Sequence, residues 1–186
     1  MLVIGAGPIG LATAAFAAKA GAAHIVVSEI DPQRRARAMK LGATAIIDPK
    51  AGPLDKSFAG LAGGPPKVVF ECVGVPGVLR QCIEVAARHG RVIVVGVCRH
   101  EDTILPRVAI RKELLLQFAL GYTIEDFDLS VGLLRSSGFD ASAMISGRNV
   151  MRSPTCRPCS RACARPTRTA RYCCGPRSGE MHRVSV

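Results

Sequence analysis

The 186-residue sequence has no tryptophan, two tyrosines and six phenylalanines, so aromatic side chains make up 4% of it. No stretch supplies the roughly 18 to 20 consecutive apolar residues that a membrane span requires, and glycines interrupt the apolar opening. Those absences exclude a membrane span and argue against a secretory signal peptide. With no export signal legible, the cytoplasm is the expected compartment. Residues 147–186 lack leucine, isoleucine, phenylalanine, lysine and aspartate altogether. Their few apolar side chains, among them Val150, Met151, Tyr172 and Val184, follow neither a helical nor an alternating period. Such a segment cannot bury a core of its own.

What is present divides at the same place. At 48% hydrophobic and 21% charged residues the chain has a globular composition, with length for one substantial core and no room for two full domains. The net charge of +11 is unevenly spread: residues 1–146 carry 16 Lys and Arg against 13 Asp and Glu, whereas residues 147–186 carry nine Arg against the single Glu180. Cysteine follows suit, with Cys72, Cys82 and Cys98 in the first part and five more after residue 146. A uniform secreted disulfide scaffold is therefore not indicated. A boundary near Ser146–Gly147 separates a domain, 1–146, from an Arg/Cys/Pro-rich tail, 147–186, expected to be disordered. Neither part contains an internal repeat.

Residues 1–146 alternate strand and helix. Leu2 to Ile4 is a short apolar run ending in glycines, Ile9 to Ala20 an alanine-rich helix, His24 to Ser28 a strand, and Pro32 to Leu41 a helix with proline in its first turn. A strand at Thr44 to Ile47, a Gly/Pro-rich crossover and a strand at Lys67 to Glu71 follow. A helix around Gly77 to Arg88 leads into the strand Arg91 to Val95, then a strand at Leu114 to Leu120 and a helix at Ile124 to Ser136. Strands that read as continuous apolar runs between helix-length connections imply a parallel sheet covered on both faces. The expected class is α/β, a doubly wound parallel sheet of the Rossmann type.

The first chemical motif is Gly5-Ala6-Gly7-Pro8-Ile9-Gly10, directly after a strand and directly opening a helix. Gly5 permits the tight turn, Gly7 lets backbone approach a pyrophosphate, and Gly10 lets helix and strand pack closely, while the helix N-terminus offers free N–H groups to the anion. Alone the pattern also fits a plain turn or a flavin site. Glu29 narrows it, because it falls 19 residues after Gly10 at the end of the second strand, where a carboxylate can accept from both adenosine ribose hydroxyls. An acid there repels a 2′-phosphate and so favours NAD over NADP, with Arg34 and Arg35 nearby tempering the preference.

The string VIGAGPIGLATAAFAAKAGA, with VVSEIDPQRRARAMKLGATAIID, VVFECVG and GRVIVVGV after it, resembles the cofactor domain of the medium-chain, zinc-containing alcohol dehydrogenase family, in the style of its sorbitol and threonine dehydrogenase branch. The resemblance covers about residues 1–146 and implies a six-stranded NAD-binding domain working beside a separate catalytic domain, usually in homo-oligomers. It implies that Gly5, Gly7, Pro8, Ile9 and Gly10 line the pyrophosphate, Glu29 the ribose and Arg34 the adenosine edge. Cys72, Val73 and Gly74, with Val95, Gly96 and Val97, would approach the nicotinamide side. The family usually has aspartate at the position of Glu29, so a longer carboxylate must shift to reach the ribose. The parent reaction it implies is hydride transfer from a secondary alcohol to NAD.

In that family a catalytic zinc stabilises the alkoxide that gives up hydride, and its ligands lie in a domain preceding the glycine-rich strand. This sequence starts one residue before that strand, so the expectation is a chain truncated ahead of the zinc domain and inactive alone. Cys72, Cys82 and Cys98 are isolated and read as small packing residues. His24, His89 and His100 are scattered. In the tail, Cys156-x2-Cys159-x3-Cys163 with Cys173, Cys174 and His182 offers a competing reading as a metal knuckle or nucleic-acid arm. It matches no zinc module with a second pair in place, and no aromatic platform accompanies the arginines, so no specific nucleic acid and no membrane partner is expected.

The tail composition fits translation of a GC-rich gene in the wrong frame. Read from the third base, Tyr172-Cys173-Cys174 must give Leu-Leu, and permitted codons over Thr169 to Pro176 continue as family-like sequence. A frameshift near Ser146 is the expected origin, and genomic DNA that failed to restore such sequence after a one- or two-base shift would remove it. Two further readings stand beside the dehydrogenase domain: a noncatalytic nucleotide-binding module, and an Arg/Cys-rich protein binding metal or nucleic acid through its tail.

Overall fold

In the computed structural model, residues 1–135 and 141–144 are described. The chain begins with β1 (Leu2–Ile4), α1 (Pro8–Lys19), β2 (Val26–Ser28), α2 (Pro32–Lys40), β3 (Ala45–Ile47) and α3 (Leu54–Ala62). It continues through β4 (Val68–Glu71), α4 (Val78–Val85), β5 (Arg91–Val94), α5 (Pro106–Lys112), β6 (Leu115–Phe118) and α6 (Ile124–Arg135), and a 3-10 turn spans Ala141–Met144. The six strands form one sheet in the order β3-β2-β1-β4-β5-β6, and every neighbouring pair is parallel. Ile4 stands beside Ser28 on one side and Glu71 on the other. The strand order reverses at this point, which opens a crevice at the carboxyl edge of the sheet.

Both sheet faces are apolar because successive side chains on a strand point in opposite directions. Leu2, Ile4, Val69 and Val92 face a core closed by Leu54 and Phe58 of α3 and by Cys82 and Val85 of α4. Val3, Ile25 and Val27 face the other, closed by Leu11, Ala14 and Ala15 of α1 and Ala38 of α2. The alanines let α1 lie close to neighbouring backbone, so a Cβ on Gly42 would sit 2.5 Å from Ala18 Cβ.

The doubly wound sheet is as the sequence pattern implies, with differences in detail. The Gly/Pro-rich crossover contains a helix, α3, whose Leu54 and Phe58 are buried four residues apart on one face. Gly52-Pro53, Gly60 and Gly63-Gly64 hide that short period in the sequence. Helix α5, with a proline in its first turn and no buried residue, was not expected either. The second strand begins at Val26 rather than His24, although Ile25 already pairs with Thr44 through backbone and hydroxyl. Helix α4 ends at Val85, where Ala86 turns extended, three residues before the expected Arg88. The expected tail, residues 147–186, lies outside the described residues. Among the described residues no helix is long and apolar enough to cross a membrane.

Candidate functional site

The glycine-rich turn leaves β1 and enters α1 at the centre of the carboxyl edge. Gly5 has φ +95°, in the left-handed region, and its N–H donates to the Ser28 carbonyl at 2.8 Å. A Cβ on Gly5 would stand 2.7 Å from a Val73 methyl, and one on Gly10 would run into the Gly5 carbonyl. Only glycine permits these approaches, which answers the spacing of the motif. A Cβ on Gly7, by contrast, would meet nothing within 4 Å. Gly7 is the N-cap of α1, no side chain caps that terminus, and Pro8 follows it. The first turn of α1 thus presents uncapped backbone N–H groups toward open space, the arrangement that holds an anion at a helix N-terminus.

Glu29 lies beside this turn and is 6% exposed. Its Oε2 accepts the Ala6 N–H at 2.7 Å and its Oε1 the Asp31 N–H at 2.9 Å, so the carboxylate ties the glycine turn to the end of β2. Each oxygen retains a second lone pair for a hydroxyl donor. Asp31 caps α2 by accepting the Gln33 and Arg34 N–H groups, and those bonds, with that of Arg34 the stronger influence, hold its carboxyl below the usual carboxylate range. The two arginines behave differently. Arg35 Nη1 donates to the Glu29 carbonyl at 2.8 Å and pairs with Asp48 at 2.9 Å, whereas Arg34 is exposed on the first turn of α2.

On the other side of β1 the ends of β4 and β5 meet. The Cys72 N–H donates to the Ile4 carbonyl at 2.9 Å, which places Cys72 and Val73 against the glycine turn. Cys72 Sγ lies 3.8 Å from Thr13 Oγ1, and burial pushes its thiol up to about 11. Cys82 is fully buried and raised further by desolvation, while Cys98 is partly exposed with its thiol 3.3 Å from the His100 carbonyl. A cleft of about 370 Å³ opens over this half, lined by apolar residues such as Val75, Leu79 and Phe118, by Val95–Cys98 and by the acidic residues Glu71 and Asp102. Asp102 accepts the Gly77 N–H at 2.8 Å, at the start of α4.

Of the thirteen residues singled out in the sequence, Gly5, Gly7, Pro8, Ile9, Gly10, Glu29, Cys72, Val73, Gly74, Val95, Gly96 and Val97 gather along this one edge. Arg34 is exposed on the first turn of α2, where its N–H donates to Asp31, the residue whose own N–H binds Glu29. Glu71 was not singled out, although it is 3% exposed and ends β4 directly before Cys72. An acid closing an otherwise apolar buried strand was the available signal. Among the described residues no three His, Cys, Asp or Glu side chains are grouped to hold a metal ion. Cys156, Cys159 and Cys163 lie outside the described residues.

A parallel sheet with this strand order, a glycine-rich turn and an acid after the second strand define a Rossmann-type nucleotide-binding domain. Residues 8–136 match the family model described as zinc-binding dehydrogenase, and the chain belongs to the zinc-containing alcohol dehydrogenase family, represented here by its cofactor-binding domain. The chain is 31% identical over 149 residues to (R,R)-butanediol dehydrogenase of Bacillus subtilis, covering 80% of this chain and 43% of that protein. It is 29% identical to sheep (Ovis aries) sorbitol dehydrogenase over 80% of this chain and 42% of that one. The crystal structure of the B. subtilis 2R,3R-butanediol dehydrogenase superposes with a TM-score of 0.69 at 33% identity, covering 76% of this chain and 41% of that one. A Sinorhizobium meliloti zinc-binding dehydrogenase bound to NADP gives 0.71 at 30% identity, over 78% and 44%. The chain therefore spans about two fifths of the length of these relatives.

Proposed function

We propose that the carboxyl edge of the sheet binds NAD and presents its nicotinamide for hydride transfer from a secondary alcohol in the assembled enzyme. The observation that carries this reading is the uncapped N-terminus of α1, open at Gly7, standing beside the buried carboxylate of Glu29. Pyrophosphate oxygens would accept from the first-turn N–H groups of α1. Glu29 would accept from the ribose hydroxyls with the lone pairs its two backbone bonds leave free. The backbone of Cys72–Gly74 and Val95–Val97 would flank the nicotinamide within the apolar cleft. When bound, the cofactor supplies the hydride acceptor; the chain orients it and excludes water.

The preference for NAD over NADP rests on charge. A 2′-phosphate would be brought against the Glu29 carboxylate, and Arg35, which could have neutralised it, is held by Asp48. Only the exposed Arg34 remains near, which leaves NAD the favoured cofactor. The described residues do not fit a zinc site. Calorimetry on the full chain tests the reading. NAD is expected to bind more tightly than NADP, and Glu29→Ala to weaken NAD by about tenfold or more, the value of a hydrogen bond to a charged group. Equal affinities, or an unaffected Glu29→Ala, would overturn it.

A further inference from the structure

Glu29 and Glu71 are the only buried charged residues among those described; Glu29 directly follows β2 and Glu71 ends β4, on opposite sides of β1. Glu29 ties down the turn on the adenosine side. Glu71 makes a corresponding set of bonds on the other half. Its Oε1 accepts the Val73 N–H at 2.7 Å and the Gly74 N–H at 2.8 Å, while its main-chain carbonyl accepts both the Val95 and the Gly96 N–H at 2.9 Å. Four N–H groups from two separate turns therefore converge on one residue. The glycines between the turns leave no slack: a Cβ on Gly74 would lie 2.7 Å from the Val97 N and O atoms, and one on Gly96 would collide with Glu71 Oε2. That oxygen fills the space that a side chain on Gly96 would take, at the wall of the cleft over β4 and β5.

We infer that Glu71 is a positioning residue that clasps the β4 and β5 turns together and so shapes the nicotinamide half of the cleft, without contributing to the adenosine half. This inference rests on the NAD reading above. An unpaired buried carboxylate is costly, and here the burial is offset by the Val73 and Gly74 N–H groups of the β4 turn, one of the two loops that would flank the nicotinamide. Loss of the carboxylate frees the Val73–Gly74 turn and empties the space against Gly96, where one end of a dinucleotide would sit, while the main-chain carbonyl keeps its bonds to Val95 and Gly96. The other end is held by different residues, Glu29 and the first turn of α1. The consequence is a split between ligands that reach the nicotinamide half and ligands that do not.

The split is measured by calorimetric titration of the full chain with NAD and, separately, with ADP, which carries the adenosine and pyrophosphate only. Glu71→Ala is expected to weaken NAD by about tenfold while ADP stays within about twofold, whereas Glu29→Ala weakens both alike. Glu71→Gln keeps one oxygen to accept from Val73 and Gly74 and is expected to hold NAD within about threefold of wild type. A merely structural loss would lower both affinities together. If Glu71→Ala does not fold, Glu71→Met replaces it, since it fills much the same volume, removes the acceptor for Val73 and Gly74 and must give the same split. An unchanged NAD-to-ADP ratio in the variant that folds, or an equal loss of both ligands, overturns the inference and leaves the NAD reading standing. Failure of the wild-type chain to bind either ligand overturns the NAD reading itself, and the inference with it.

Discussion

Glu29 and Glu71 illustrate how a single side chain can fix a loop: each accepts two backbone N–H groups that no strand partner would otherwise satisfy. Glu29 was legible because its distance from the glycine motif is set by one helix and one strand. Glu71 was not, because its importance lies in turns that come together only in three dimensions. The cysteines lead to a prediction at this scale. With its thiol raised from 9.0 to about 11, Cys72 is about one part in a thousand thiolate at pH 8, and Cys82 less. Cys98 is partly exposed at the cleft. Iodoacetamide at pH 8 followed by peptide mapping should label Cys98 well before Cys72 and Cys82, and saturating NAD should slow labelling at Cys98. The sign of the pH effect follows from the same shift: between about pH 9 and 11 the folded state keeps a proton on Cys72 that the unfolded state has released. Stability should thus fall as pH rises through that window. Early labelling of Cys72 in the folded chain would contradict its burial.

Among the elements, α4 ends without the glycine cap that closes α3. Lys112, the last residue of α5, supplies the termination instead, its Nζ donating to the carbonyls of Ile83 at 3.2 Å, Glu84 at 2.5 Å and Ala86 at 2.8 Å. A cation at a helix C-terminus opposes the partial negative charge of the unpaired carbonyls. Lys112→Met keeps the aliphatic stem and removes the charge, and is expected to cost about 1 kcal/mol. At an m value of about 2 kcal/mol/M, that lowers the urea midpoint by about 0.5 M. An unchanged midpoint would show that water caps those carbonyls equally well. The contact also explains why α5 escaped detection. It buries no side chain and so leaves no apolar period, yet its final residue anchors a neighbouring element through atoms that carry no hydropathy signal. Helix α3 escaped for a different reason, since its two buried anchors span only one turn between glycines.

For the molecule as a whole, no three His, Cys, Asp or Glu side chains among the described residues are grouped to hold a metal ion. The 186-residue chain is expected to bind NAD but to produce no NADH from 2,3-butanediol or sorbitol, with or without added zinc. Turnover that copurifies with the chain and is lost in Glu29→Ala would contradict this. The sequence by itself determined the α/β class, the order of the six strands' appearance and the positions of the glycine motif and its acid, because these depend on local periodicity and fixed spacing along the chain. Strand runs apolar on both faces could belong only to a covered parallel sheet. Tertiary structure alone decided which turns meet. Crossing from β3 over the sheet to β4 puts Glu71 beside Ile4, and pairing β4 with β5 lays the Val95 and Gly96 N–H groups on its carbonyl. It also drew Arg35 onto Asp48 and left the Arg34 side chain exposed, a choice between neighbouring arginines that charge counting cannot make. The physical reason is common to these cases: periodicity reports which face of an element is buried, whereas hydrogen bonds between loop ends depend on chain segments that become neighbours only when the sheet closes.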